Sequence, residues 1–226
     1  MRRLRLPALL IIGLACGSAP AAAQVISVPK GGLTRDPALF VSGGIGLLAV
    51  QGVFDGTTQT GWDFSQALEY HAALEFGMAR GSAIGVSLGY ARVPLSYQRL
   101  VNTPGGGQGV LATDAHVSAW TLGGEFTLGP GSPGFHQVIV VNAGVIAFQN
   151  FHGDGGVGEL PPKRDIDPRI GIGYGFGYGL KSRGEVYLVQ EYGVALHQSE
   201  GLSGSDRRQY QQQTTRLGFR IGLGSR

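Results

Sequence analysis

Gly171-Ile172-Gly173-Tyr174-Gly175-Phe176-Gly177-Tyr178-Gly179-Leu180 sets glycine at every second position and a large apolar or aromatic residue at every other. A helix does not tolerate this, because five interior glycines each cost about 1 kcal/mol relative to alanine. A strand does, because successive side chains point to opposite faces. The stretch is a two-faced strand, one face large and apolar, the other nearly bare.

The same period of two runs outward in both directions. Between Phe64 and Ala79, Leu68, Tyr70, Ala72, Leu74, Phe76 and Met78 share one face, and Glu69, His71, Ala73, Glu75 and Gly77 the other. From Ser82 to Ala91, Ile84, Val86, Leu88 and Tyr90 oppose Gly85, Ser87 and Gly89. Residues 115–128 set Trp120, Leu122, Phe126 and Leu128 against Thr121, Gly123, Glu125 and Thr127. Residues 185–197 set Val186, Leu188, Tyr192, Val194 and Leu196 against Glu185, Glu191, Gly193, Ala195 and His197, with Gln190 as a misfit. In the closing segment Thr215, Leu217, Phe219, Ile221 and Leu223 oppose Arg216, Gly218, Arg220, Gly222 and Gly224. Leu39–Gly52 and Gln137–Phe148 are apolar on both faces and read as strands from β-branched content and flanking turns. Asn142 marks the polar face of the second; Ser42 and Gln51 disagree for the first.

These are eight strands with connectors of alternating length. Arg80-Gly81, Gly129–His136 and Lys181–Gly184 are compact, whereas Arg99–Asp114, Phe151–Asp167 and Gln198–Gln211 are long and polar. The connector at Asp55-Gly56 is either a loop or a tight hairpin. A count of ten, from splitting Ser82–Gln98 or adding Val25–Val28, stays open.

Composition agrees with an all-β domain. Forty of 226 residues are glycine, more than twice the ~7% usual in proteins. With 42% hydrophobic and 15% charged residues, the chain is too apolar for disorder and too glycine-rich for a helical bundle. Its start has a secretory layout: Arg2, Arg3 and Arg5, the apolar run Leu6–Ala15, then Ala21-Ala22-Ala23 before Gln24. The expected organisation is a signal peptide over 1–23, a short periplasmic lead over 24–37 and a barrel over 38–226. Cys16, the single cysteine, falls in the signal, so the mature chain is expected to form no disulfide. Leu14-Ala15-Cys16-Gly17 also resembles a bacterial lipobox, with Gly13 where that pattern prefers leucine, and lipidation at Cys16 stands as the alternative to cleavage after Ala23. Setting the three leading arginines aside leaves fifteen basic and fifteen acidic residues. This neutrality, with dispersed arginines, argues against a nucleic-acid partner.

A soluble barrel covers its outer face with charge. Here the more polar face is mostly glycine, alanine and serine, and the apolar face carries most strand aromatics, which suits an exterior that meets lipid around a narrow interior. Lipid also demands closure, since unpaired backbone groups in hydrocarbon cost several kcal/mol each. The chain thus resembles the small eight-stranded outer-membrane barrels of Gram-negative bacteria, the class that includes the OmpA transmembrane domain and OmpX, over roughly residues 38–226. The closing residues Arg216, Gly218, Ile221 and Leu223 are similar in spacing to the signal by which the outer-membrane assembly machinery recognises its clients. They depart from it in ending on Leu223 instead of an aromatic, with Gly224-Ser225-Arg226 following. The resemblance implies an all-β, closed antiparallel up-and-down transmembrane barrel. It also implies a monomer in the outer membrane, with termini and short turns in the periplasm. Tyr70, Phe76, Tyr90, Trp120, Phe126, Tyr174, Tyr178, Tyr192 and Phe219 are the candidates for its aromatic belts.

Inward parity collects Glu69, Glu75, Glu191, Arg216 and Arg220 in that interior. Buried charges persist when paired, so the expectation is a salt-bridged polar network that plugs the lumen, with an ion path as the alternative. Asp114, His116 and Ser118 share the outward parity of Trp120. An exposed His-x-Ser there is similar to the catalytic strand of lipid A 3-O-deacylases, with histidine as base and serine as nucleophile. Two residues match, Asp114 precedes the histidine, and a polar strand end explains all three, so the reading expects no enzyme. Gly44-x-Gly46-x-x-Ala49 fits a dinucleotide fingerprint but lacks the following helix. His152, Asp154, Asp165 and Asp167 are read as solvated loop residues, because their spacing matches no recognised ligand set; no metal and no cofactor is expected. Arg99, Lys163, Arg164, Arg207 and Arg208, in or near the outer connectors, are the residues to meet lipopolysaccharide phosphates. Expected partners are outer-membrane lipids, lipopolysaccharide and the assembly machinery.

Overall fold

The computed structural model describes residues 38–56, 58–78, 81–102, 106, 108–180, 183–197 and 209–224. The signal peptide and lead expected over 1–37, with Cys16, and the pair Arg207 and Arg208 lie outside the described residues. In chain order the strands are β1 (Leu39–Val50), β2 (Val53–Asp55), β3 (Thr60–Phe64), β4 (Ala67–Met78), β5 (Ser82–Asn102), β6 (Gln108–Leu128), β7 (Gly134–Gly153), β8 (Gly158–Glu159), β9 (Arg164–Gly179), β10 (Gly184–Leu196) and β11 (Gln209–Leu223). Eight of them form a ring of antiparallel neighbours: β1 with β4, then β5, β6, β7, β9, β10 and β11, which returns to β1. The eight-stranded count stands, and the fold is a closed up-and-down barrel.

The seam joins Leu39 opposite Leu223 to Val50 opposite Gln212. A Cβ on Gly44 would come within 2.8 Å of the Leu217 carbonyl oxygen, and one on Gly46 within 3.0 Å of that of Thr215. The two glycines of the nucleotide-like string thus let the closing strands approach. The glycine face of the deciding stretch acts similarly. Gly171 leaves room for Asn142, Gly173 for Val189, and Gly177 for His136 and Glu185. Bare positions on β9 are filled by side chains from its neighbours.

All eight ring strands present apolar side chains outward. Ile45, Leu74, Val86, Leu122, Val141, Ile172, Leu188 and Leu217 are all exposed, as are Tyr70, Phe76, Trp120, Tyr174, Tyr178, Tyr192 and Phe219. Tyr90 and Phe126 are half-buried against neighbours on the same wall. A continuous apolar belt of this kind is far larger than a water-soluble protein exposes, and a closed ring leaves no unpaired edge, so the barrel is transmembrane. The misfit Gln190 also points outward, where its side-chain oxygen accepts a hydrogen bond from the Thr215 hydroxyl on β11.

One end of the barrel has short turns and the other tall hairpins, and here the expected boundaries need correction. Arg99–Asp114 is not a loop: β5 and β6 pair without interruption to Asn102 opposite Gln108. Phe151–Asp167 is a loop only in its middle, since β7 runs to Gly153, β8 lies at Gly158–Glu159 and β9 starts at Arg164. Backbone pairing needs no apolar periodicity, so strands continue above the belt where the side-chain signal stops. Asp55-Gly56 belongs to a hairpin, β2–β3, and Phe64 ends β3 instead of starting β4. β3 pairs with β5 above the point where β4 leaves it, opposite Leu95 to Arg99.

Candidate functional site

The barrel interior holds three layers. Nearest the short turns, Arg220 from β11 donates from Nε to Glu75 Oε2 at 3.0 Å and from Nη1 to both Glu185 oxygens at 3.3 Å. Thr127 donates to Glu75 Oε1 at 2.6 Å, and His136 Nε2 lies 3.2 Å from Glu185 Oε1. The guanidinium also lies over the Tyr187 ring, 5.0 Å from its centroid. A Cβ on Gly218 would run into that ring. Gly218 of the closing motif therefore makes room for the aromatic that covers Arg220.

In the middle layer Glu191 accepts from Arg169 at 2.6 Å and from Arg216 at 3.2 Å, while His71 Nε2 sits 3.5 Å from Glu125 Oε2. Glu69 is buried in the fields of Arg216 and His71. All five residues expected inside are inside. They are joined by Glu125, Glu185, His71, Arg169 and His136. Alternation places Glu125, Glu185 and His71 on the inner face of their strands, but nothing in the sequence joins them to the other five; Arg169 and His136 lie where no period of two is visible. A space between Ser87, Thr121, Asn142 and Arg169 measures about 10 Å³, the room of a single water.

The third layer, under the tall hairpins, breaks the expectation of a small-residue lumen. Trp62 from β3 is 1% exposed and meets Phe151 at 4.8 Å and Phe148 at 6.2 Å between ring centroids. Val93, Leu95, Tyr97, Val117 and Ile146 complete an apolar cap. Phe151 owes its place to a β-bulge: Asn150 has φ of 58°, and the register with β6 shifts between His116 and Ser118. Without the extra residue Phe151 would face outward.

Set into this cap is a group of titratable residues. His197, just beyond the end of β10, has Nδ1 3.1 Å from Asp167 Oδ2 and 3.3 Å from Asp165 Oδ2. Its Nε2 lies 3.7 Å from Asp55 Oδ1, and Tyr210 donates to Asp167 Oδ2 at 2.9 Å. Burial disfavours a charged imidazole, but the nearby carboxylates of Asp167, which accepts from Nδ1–H, and Asp165 prevail and raise its pKa to about 10. Asp167 is no solvated loop residue, since it lies in β9 and is fully buried; Asp165 is partly so.

The outward trio lies where parity placed it. Asp114 is exposed, and His116 and Ser118 are half-buried on β6. The carboxylate beside His116 is that of Asp154, at 3.0 Å from Nδ1, while Arg92 Nη2 lies 2.7 Å from Nε2. Asp114 contributes its carbonyl, which accepts from the Asp154 backbone N–H at 2.8 Å. His152 packs beside His116, with ring centroids 5.5 Å apart. Of the basic outer residues, Lys163 pairs loosely with Glu159 at 3.8 Å, and Arg99 and Arg164 are exposed.

No protein-family model matches the chain, and no curated protein matches it in sequence. Among solved structures, Neisserial surface protein A is 10% identical, with 82% of this chain and 97% of that one aligned at a TM-score of 0.47. The outer membrane protein OprG from Pseudomonas aeruginosa is 14% identical, with 84% and 98% aligned at 0.43. The monoaromatic hydrocarbon channel CymD is 11% identical, with 83% and 89% aligned at 0.25.

Proposed function

We propose that the chain is an exported, monomeric outer-membrane barrel with a sealed interior that acts through its outer wall and tall hairpins. The observation that carries this is the filling of the lumen: two layers of paired charges, then the cap built on Trp62, Phe148 and Phe151. In this orientation the short turns face the periplasm and the tall hairpins the exterior. Arg99, Lys163 and Arg164 then supply cations toward lipopolysaccharide phosphates, and Arg216, Gly218, Ile221 and Leu223 serve the assembly machinery. The test is planar-bilayer conductance of the refolded mature chain, once heat-modifiable gel migration has established a folded barrel. Silence is the expected result; steady open steps that change when Glu191 becomes glutamine would make the middle layer a pore lining instead.

A second reading, a lipid A-modifying hydrolase, draws on the contact between His116 and Asp154, whose carboxylate would orient a histidine base. It requires that purified protein deacylate lipid A and that His116→Ala abolish the reaction.

A further inference from the structure

We infer that Asp165, Asp167 and His197 form a binding site for one first-row divalent transition cation of the Zn²⁺ type, inside the mouth of the barrel under the tall hairpins. One ligand atom from each residue lies within 4.8 Å of the other two, in a buried or nearly buried setting. Zinc bonds of about 2.1 Å in tetrahedral geometry put donor atoms roughly 3.4 Å apart. The His197 Nδ1 distances to Asp167 and Asp165, 3.1 and 3.3 Å, are close to that spacing.

Three further observations point to an ion and not to a self-sufficient ion pair. Asp165 Oδ2, on the side of the imidazole that faces Asp167, is a buried atom without a hydrogen-bond partner, and the His197 side chain is only 2% exposed. In the layers below, acids are matched by arginines and histidines, whereas Asp165 and Asp167 share the single imidazole of His197 among the described residues. Two carboxylates for one base leave a buried negative excess, which a fold tolerates when a cation completes it. The groups around the ligands are also those that hold and orient them in a metal centre. A metal on Nδ1 leaves Nε2–H aimed toward Asp55, and Tyr210 already donates to the ligand oxygen of Asp167.

The imidazole selects the cation class. Calcium and magnesium take oxygen ligands, whereas one nitrogen with two carboxylates suits zinc, manganese or ferrous iron. Asp165, with 21% of its side chain open, gives the ion a way in. His152 and His116 on the outer wall form the rival place for zinc.

The test uses the full mature chain, refolded in detergent, stripped with chelator and dialysed against Zn²⁺ alone. Elemental analysis should find one zinc per folded chain. Asp167→Asn and Asp165→Asn should each weaken it tenfold or more in a chelator competition, with heat-modifiable migration retained, and His152→Ala should leave it unchanged. Asp165→Asn serves at the rim even where the buried Asp167 variant fails to fold. A folded wild type without zinc overturns the site, as does binding that survives Asp165→Asn or disappears with His152→Ala. Conductance is not among these readouts, so a leaky barrel would leave the result intact.

Discussion

The two ends of the barrel interior solve the same problem, buried charge, in opposite ways. Near the short turns Glu75 and Glu185 are served by Arg220, His136, Thr127 and the Gly131 N–H. Under the tall hairpins Asp165 and Asp167 have one imidazole between them, surrounded by Trp62, Phe148 and Phe151. A low-dielectric setting strengthens a satisfied network and penalises an incomplete one. The first end is thus a structural brace and the second a site poised to receive something positive. Their sequence positions do not announce this, because each group draws its members from strands far apart in the chain: the brace from β4, β6, β7, β10 and β11, the mouth from β9 and the end of β10.

The largest expected effect is at the balanced end. Arg220→Ala leaves Glu75 and Glu185 buried without their guanidinium and uncovers Tyr187. The loss should be about 3–5 kcal/mol, measured by urea unfolding of the folded barrel in lipid. A variant as resistant as wild type would mean that His136 and Thr127 suffice, and the brace would be no brace. At the capped end Trp62→Ala should cost about 3 kcal/mol through lost packing, yet remain silent in planar bilayers because both ionic layers still close the lumen. Current through that variant would assign the seal to the aromatic cap alone.

A smaller effect tests how the opening glycine stretch serves the brace. A Cβ on Gly177 would stand 2.6 Å from His136 Nε2 and 2.7 Å from Glu185 Oε1. Gly177→Ala should therefore lower stability by about 2 kcal/mol through overpacking. The same change at Gly171, where Asn142 is the neighbour and its Oδ1 has no partner to lose, should cost less. Equal losses would show that the glycines matter for strand entropy, not for the room they leave.

That alternation was legible is no accident of this chain. Within the belt, lipid on one side and a narrow lumen on the other sort Leu68 to Met78 and Ile172 to Leu180 by parity with no error, whereas β1 and β7, apolar on both faces, hide the same alternation. Above the belt both faces meet water or hairpin packing, and the signal vanishes even though the hydrogen-bond ladder continues through Leu100 and Val110. Phe151 was illegible for a different reason: one residue with positive φ, Asn150, reverses its parity. The five expected interior charges were legible as inward residues. The mouth cluster was not, because Asp165 and Asp167 sit about thirty residues from His197 and only the ladder of β9 with β10 brings them together.

The smallest effect is the sharpest discriminator, because its sign differs between the two ends. In chelator-treated protein Asp165→Asn removes one of two like charges that share His197, while Asp167 keeps its contacts with the imidazole and Tyr210. Relief of that repulsion should raise stability by about 1 kcal/mol, the worth of a little under one pKa unit. Glu185→Gln removes a charge that Arg220 and His136 both use, and should lower stability by about the same amount. Paired urea titrations of the two variants read the signs directly. Two losses would mean that the mouth, like the brace, is already neutral without a metal. Opposite signs would show that carboxylate is held there in excess, at a cost that zinc should remove in the wild type and not in Asp165→Asn.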